Sequence, residues 1–368
     1  MKRRSAKLGQ ALGFHLIWLP PAIVALGAEA HSPWLAFGVL MGLLPFLRIV
    51  FGECASRPPN WSEGLASYLE RMPAVAAAAY WVALLMVGVC LRSHARRVSD
   101  LVGFGAGLWA ASLLTSCVAH ELLHRAGAGS RLLGRILSGS LGYPFLEHEH
   151  VFHHVRTAAA VNDECPRPEE SIWAFSLRRL GRVAVAAYEG DRLESMRVGH
   201  RLGGGMVASS AALVITAIAF FIIAGTAGGA VYLGSAALTS WAIQATTYLQ
   251  HWAMGAPGVS SRASGSEFCW EDRCQVQAWI TLGICFHQAH HRSPTTPYYR
   301  LAPSADAPRQ PAGYLILLLI AVFPPLWRVV MRPALRRWMT APTQSRGAGR
   351  ALLCFSGKAN PRDSSRLT

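Results

Sequence analysis

The chain runs to 368 residues, 52% of them apolar and only 15% charged, with 35 Lys and Arg against 20 Asp and Glu for a formal charge of +15. A typical soluble domain is roughly a quarter charged, so this composition excludes a disordered chain and argues against an ordinary cytosolic globule. The eight Cys show no CxxC spacing, which argues against a disulfide scaffold, a zinc ribbon or a fused rubredoxin.

Crossing a bilayer as a helix takes about 20 apolar residues. In chain order the runs of that kind are Leu8–Ala28, His31–Leu47 (with Ile49–Gly52 beyond Arg48), Ala74–Leu91, Leu101–Ala119, Gly205–Ala224 and Gly228–Leu249. Short links join the first two and the last two. The expectation is an all-α integral membrane protein with about six transmembrane helices in three hairpins. A basic start followed by an apolar run also fits a signal peptide, but Leu8–Ala28 is long enough to span and reads as the first transmembrane helix. Leu133–Leu146 and Cys274–Phe286 are too short and interrupted to cross, and are expected to lie at the interface. A seventh run, Gly313–Trp327, is broken by Pro324-Pro325 and is expected to be re-entrant or interfacial. The chain thus divides into an N-terminal hairpin (1–72), a histidine-rich membrane domain (73–300), and a last segment with a basic tail (301–368).

The charge sits at the ends. Lys2, Arg3, Arg4 and Lys7 open the chain; Arg328, Arg332, Arg336, Arg337, Arg346, Arg350, Lys358, Arg362 and Arg366 close it, against Asp363 alone. The two ends account for twelve of the fifteen net charges. This is the flanking expected of the positive-inside rule rather than a basic groove. Both termini are therefore placed in the cytoplasm, and no nucleic-acid partner is expected. Arg92, Arg96 and Arg97 run against this topology, because they fall in a loop on the outer side.

Ten of the fourteen His gather in four places: His120 and His124 in HELLH, then His148, His150, His153 and His154 in EHEHVFHH, then His251, then His287, His290 and His291 in HQAHH. His15, His31, His94 and His200 lie elsewhere. On a helix at about 100° per residue, positions three or four apart share a face. Each HxxHH cluster therefore offers three imidazoles on one side, whereas His148 points about 160° away from His150. Counting two, three, one and three, nine imidazoles converge at one membrane face. That is too many for one ion and suits two, and imidazole-rich sites fit iron, copper, nickel or zinc. Each piece alone has an ordinary reading as an interfacial histidine. Three clusters in one chain do not, since burying unsatisfied imidazoles is costly.

HELLH, HVFHH and HQAHH, in this order and between hydrophobic hairpins, resemble the three histidine boxes of the membrane fatty acid desaturase and alkane hydroxylase superfamily, over roughly Ala74 to His291. Arg125, Glu147, Asp163, the Glu170-Ser171-Ile172-Trp173 stretch and the segment Thr247–Trp252 around His251 look like the alkane hydroxylase side. The two-residue gap between His150 and His153 is instead the desaturase spacing, and His251 is followed by Trp252-Ala253 where Tyr-Gly is usual.

The resemblance implies a cytoplasmic helical cap carrying the boxes and a non-haem di-iron centre. Its ligands would be His120, His124, His150, His153, His154, His251, His287, His290 and His291. It also implies O2 as co-substrate and oxidation of an unactivated C–H bond in an alkyl or acyl chain entering from the bilayer of a bacterial-type inner membrane. Electrons would come from a separate rubredoxin- or ferredoxin-type donor with its reductase. Glu121, Glu147, His148, Glu149, Asp163 and Asp272 sit beside these histidines and are candidates to orient them. Trp81, Phe104, Trp109 and Trp241 are candidates to line the substrate slot. Alternatives are a membrane fatty acid decarboxylase forming terminal alkenes or an alkyl-aromatic monooxygenase. More distant ones are a zinc metallopeptidase using His120, His124 and Glu121, a carboxylate-bridged di-metal bundle, and a transporter with intramembrane histidines.

Overall fold

A chain in hydrocarbon must satisfy its backbone polar groups internally, and a helix does so within one segment. The computed structural model describes residues 2–55, 57–94, 97–158, 165–198, 205–256, 259 and 269–341. Among these every regular element is helical; β-type pairing is confined to single bridges, Glu53 with Cys274 and Glu271 with Arg309.

Helix α1 (Lys2–Gly13) passes through a 3-10 turn into α2 (Leu19–Glu29). Pro20 and Pro21 sit in the first turn of α2, where a missing N–H breaks no helix bond. The run Leu35–Phe51 is irregular, with a π turn over Gly38–Leu43 and a 3-10 turn over Leu44–Phe46. Pro45 lies in that break and cannot donate to a regular ladder. Then come α3 (Glu63–Ser93), α4 (Val98–Leu123), α5 (Ala128–Ser140), α6 (Leu146–Ala158) and α7 (Ile172–Val198). The long helical stretch α8 (Gly205–His251) is followed by two short helices, α9 (Gln275–Ile280) and α10 (His287–Arg292). The described chain ends with α11 (Tyr314–Ala321) and α12 (Pro324–Thr340).

Four stretches are long and apolar enough to cross a membrane: Lys7–Glu29, α3, α4 and α8. The last of these turns back on itself. Gly225 has φ +66° and ψ −160°, a conformation open to glycine and strained for other residues. Phe220 and Tyr232 stack with centroids 5.1 Å apart, whereas twelve residues of straight helix would separate them by about 18 Å. The two arms of α8 are therefore antiparallel. On α4, a Cβ added at Gly103 or Gly107 would lie 2.9 Å from Pro33 or Ala36. This small-residue spacing lets the chain after α2 press against α4.

Leu40, Leu69, Ala76 and Ala111 lie at the centre of a core joining α2, α3 and α4. A second core, with Phe175, Tyr248, Trp252 and Trp327, lies under the end of α8. Outward faces of α3 and α8 expose Val82, Leu85, Ile215, Ile218 and Ile222, as a lipid-facing surface requires. With eight residues, α11 is about 12 Å long and cannot cross. The chain breaks before Pro324, and α12 then buries Trp327 against Tyr248 and Trp252 (centroids 5.3 and 5.8 Å). The ends of α4 and α8 meet α6 and α10 at one end of the bundle, and there the histidines collect.

Candidate metal centre

Four elements bring the nine histidines together. His120 and His124 share a face at the end of α4, with centroids 4.6 Å apart. His150, His153 and His154 come from α6, His251 ends α8, and His287, His290 and His291 come from α10. The rings form two clusters. In the first, His120 Nε2 lies 3.1 Å from His150 Nε2 and 3.3 Å from that of His124. His154 Nε2 joins it, 2.8 Å from His150 and 3.1 Å from His290. In the second, His251 Nε2 is 3.1 Å from His153 and 3.0 Å from His287, and His291 Nε2 stands at the same distances from the same two atoms.

Hydrogen bonding alone cannot satisfy this arrangement. A neutral imidazole carries either an N–H or a lone pair at Nε2. The Nε2 atoms of His153, His251 and His287 lie 3.0–3.4 Å from one another, so at least two of the three are in the same state and face each other like-to-like. A cation accepting every lone pair removes the conflict. With metal–nitrogen bonds of about 2.1 Å, ligand nitrogens stand about 3.0 Å apart at a right angle and about 3.4 Å apart at a tetrahedral angle. The spacings of the second cluster fall in that range and those of the first run from 2.5 to 3.3 Å, close packing of nitrogens that fits a histidine-bound metal.

Electrostatics agree. Burial, reinforced by neighbouring imidazoles, holds His150, His287, His290 and His291 well below the usual 6.5. His154 falls to about 3 and His124 to about 4, burial again being the main cause. All six are neutral near pH 7, which is the state that ligates metal. His287 Nδ1 is buried with no hydrogen-bond partner among the described residues.

His148 stays outside both clusters, with its Nε2 3.7 Å from Asp191; His150 is the member of the second box that joins. His15, His31 and His94 also lie apart. The acidic neighbours expected to orient imidazoles are engaged mostly with arginines. Glu147 pairs bidentately with Arg135 (2.6 and 2.8 Å), Asp272 with Arg48 (2.7 Å) and Glu121 with Arg125 (3.5 Å). The planar guanidinium fork suits a carboxylate better than a ring N–H does. Glu149 is buried and bonded to Tyr143, Arg179 and Gln244. Arg179 Nη2 in turn stands 3.5 Å from His153 Nδ1. Asp163 lies outside the described residues.

Sequence reasoning missed Glu271. Its carboxylate is fully buried, accepting the backbone N–H of Ala289 (3.0 Å) and of Ser304 (2.8 Å). It thus caps α10, the six-residue helix that carries three of the histidines. Burial raises its pKa to about 7. The only available signal was an acid directly after the apolar run Phe268-Cys269-Trp270.

An apolar cavity of about 110 Å³ opens onto the clusters, lined by Leu113, Leu114, Ile243, Leu249, Leu315 and Leu318, with His120, His150, His153 and His287 in its wall. None of the four expected aromatic residues lines it. Trp81 donates to Ser140 Oγ (3.0 Å), Trp109 packs on Phe37, Trp241 stacks on Trp173, and Phe104 is buried in the core.

The fatty acid desaturase family model matches residues 99–316. The chain belongs to that family and is an oxidoreductase of the membrane desaturase and alkane hydroxylase superfamily, whose chemistry is oxidation of C–H bonds at a histidine-bound metal site. Among its relatives is alkane 1-monooxygenase 1 of Pseudomonas aeruginosa, 25% identical over 337 residues that cover 84% of this chain and 85% of that one. Alkane 1-monooxygenase 2 of Alcanivorax borkumensis is 21% identical over 323 residues, covering 83% and 84%. The hydroxylase component of xylene/toluene monooxygenase from Pseudomonas putida is 24% identical over 235 residues, covering 62% and 63%.

Proposed function

We propose that the protein is an integral membrane monooxygenase that uses O2 to hydroxylate an unactivated C–H bond of a hydrocarbon chain, at a pair of irons. The observation that carries this is the meeting of two imidazole clusters in the wall of one apolar cavity. His120, His124, His150, His154 and His290 would hold one iron, and His153, His251, His287 and His291 the other. Iron bound there would supply the activation of O2, and the rest is done by the chain itself. The leucine and isoleucine walls exclude water and bind methylene groups. His120, His150, His153 and His287 border the same space, so a bound chain lies beside both clusters.

The lining also speaks to substrate class. The hydroxyls of Ser116, Thr246, Thr247 and Thr281 all donate to carbonyls of their own helices. Among the described lining residues there is no Lys or Arg, whereas Glu149 is present. Away from the proposed irons, a free carboxylate would find no basic side chain in this lining to pair with. This favours a hydrocarbon over a fatty acid, and hydroxylation over decarboxylation. An alkyl-aromatic substrate is a second reading, supported by the xylene/toluene monooxygenase relative.

The topology we favour has six spans: Lys7–Glu29, the irregular run Leu35–Phe51, α3, α4 and the two arms of α8. The histidines at the ends of α4 and α8 then share the cytoplasmic side of a bacterial inner membrane with both basic termini. A separate acidic rubredoxin- or ferredoxin-type protein with its reductase would bring electrons, docking on the face that carries Arg328, Arg332, Arg336 and Arg337. The test is product analysis by mass spectrometry. Membranes holding the protein are supplied with the donor system, isotopically heavy O2, and a panel of alkanes, alkyl aromatics and fatty acids. The expected result is an alcohol carrying the heavy label. Terminal alkenes formed from fatty acids, with alkanes untouched, would replace this reading by the decarboxylase.

A further inference from the structure

Three metal-binding side chains outside the nine-histidine centre also converge. His31 follows the end of α2, and Cys90 and His94 belong to the last turn of α3. Their ligand atoms all lie within 4.8 Å of one another. His31 Nδ1 is 3.8 Å from Cys90 Sγ, and the two imidazoles stack with centroids 3.6 Å apart. Four residues after His94, α4 begins at Val98. From there to His120 is about 33 Å of helix, close to the thickness of a bilayer core. The triad therefore sits at the opposite end of the bundle from the nine histidines.

Local structure explains how the three meet. Cys90 and His94 are four apart, on one face of α3, and the His94 N–H donates to the Cys90 carbonyl (2.8 Å). At the end of α2, Ser32 N–H donates to Gly27 O (2.8 Å) and His31 N–H to Ala28 O (3.3 Å). This is the paired bonding of a Schellman turn, whose left-handed residue is usually glycine. Here it is His31, at φ +50°. The strained position is thus occupied by a residue whose side chain lies over the thiol.

We propose that His31, Cys90 and His94 form a second metal site, one that takes a cation of the Zn2+ class and ties the turn after α2 to the end of α3. Two imidazoles and a thiolate are a borderline-soft donor set, suited to Zn2+ and unsuited to Mg2+ or Ca2+, which prefer oxygen. Around tetrahedral zinc, with bonds of about 2.0 Å to nitrogen and about 2.3 Å to sulfur, those two ligands stand about 3.5 Å apart. The spacing of His31 and Cys90 needs only a small side-chain adjustment to match. The ligand nitrogen of the exposed His94 lies within 4.8 Å of the other two ligand atoms, close enough for a side-chain adjustment to bring it in. On binding, the thiol proton leaves to solvent, a sulfur–metal bond forms, and water fills the fourth position. No electrons are transferred.

The test uses the full chain in detergent with Co2+ as the zinc reporter. A cobalt–thiolate charge-transfer band that added Zn2+ abolishes is the expected result. Nitrogen-only binding at the nine-histidine centre gives no such band, so the readout is independent of whether that centre holds iron. His31→Gly places the preferred residue in the left-handed turn and removes a ligand without threatening the fold. That variant, His94→Ala and Cys90→Ala should each lose the band and bind Zn2+ at least tenfold more weakly. Absence of the band in the unaltered protein, or its persistence in any of the three variants, overturns the proposal.

Discussion

His153 and His154 are consecutive residues whose rings serve different clusters. His153 Nε2 stands 3.1 Å from both His251 and His291, while His154 Nε2 stands 3.1 Å from His290, and the two ring centroids are 6.1 Å apart. His290 and His291 repeat the relationship on α10, also at 6.1 Å. Two adjacent pairs on facing helices thus set the separation of the proposed irons. Replacing either residue of a pair should empty one position and leave the other. We expect His153→Ala and His154→Ala each to take the iron content from about two per chain toward about one, and to abolish hydroxylation. His15→Ala is the control, because His15 bonds Tyr68 Oη (2.6 Å) and its own helix, far from either cluster. Iron analysis and turnover on the same preparations check this; full activity in His153→Ala would remove the paired-metal reading.

Glu271 holds the third box in place through backbone, not through a ring. Glu271→Ala leaves the Ala289 and Ser304 N–H groups buried without an acceptor. Each orphaned donor costs about 1–3 kcal/mol. We expect a clear fall in the thermal midpoint and iron affinity weakened about 10–100-fold, the range for lost support of ligands. Glu271→Gln keeps one acceptor oxygen and should fall between the two. Identical midpoints for all three proteins would show that the cap does not matter.

The sequence made the boxes legible because helix geometry is local. Angular arithmetic over three or four residues was enough to put His150 with His153 and His154 and to leave out His148. It was not enough to say which cluster each ring would join, since that depends on how four helices cross. The acids failed for the same reason. Glu147 and Asp272 looked like partners of nearby histidines, but their arginines lie 12 and 224 residues away. The aromatic lining of the slot failed because hydropathy does not distinguish a lipid-facing wall from a cavity wall. Four stretches long and apolar enough to cross were readable, and the reversal of α8 at Gly225 agrees with the short link expected between Ala224 and Gly228. The π turn in Leu35–Phe51 was not readable, since it reflects packing against α4, whereas the 3-10 turn after it carries a local signal in Pro45.

The pH response of the metal-free protein follows from the depressed histidines. His124 and His154, at about 4 and about 3 in the fold, take up protons near 6.5 once unfolded. Below 6.5 the unfolded chain therefore binds more protons, and stability falls as pH drops. Above 6.5 neither state protonates these rings, and their contribution is flat. Glu271, held at about 7 by burial, acts in the opposite sense over part of this window, but it is one group against six depressed histidines, so thermal midpoints should decline from pH 7 toward pH 4. His154→Ala should flatten part of that slope, and bound iron should oppose it until protons compete for the ligands. A midpoint that rises as pH falls through this window contradicts the assignment of buried neutral imidazoles.

Ile243 offers a way to read substrate shape. It lines the cavity from the returning arm of α8, as Leu113 and Leu114 do from α4, and it is only partly buried in the surrounding core. Ile243→Phe adds volume to the slot without adding a polar atom. A modest overpacking cost of about 1–3 kcal/mol is expected in a well-packed site, and less where space is available. The larger effect should fall on long or branched substrates, which need the full length of the slot. If loss of fit costs about 1.4 kcal/mol in the transition state, kcat/KM for those substrates falls about tenfold, while short chains keep most of their rate. Competition between short and long alkanes, scored by product ratio, measures this directly. An unchanged ratio in a folded, iron-loaded variant would place the substrate somewhere other than this cavity.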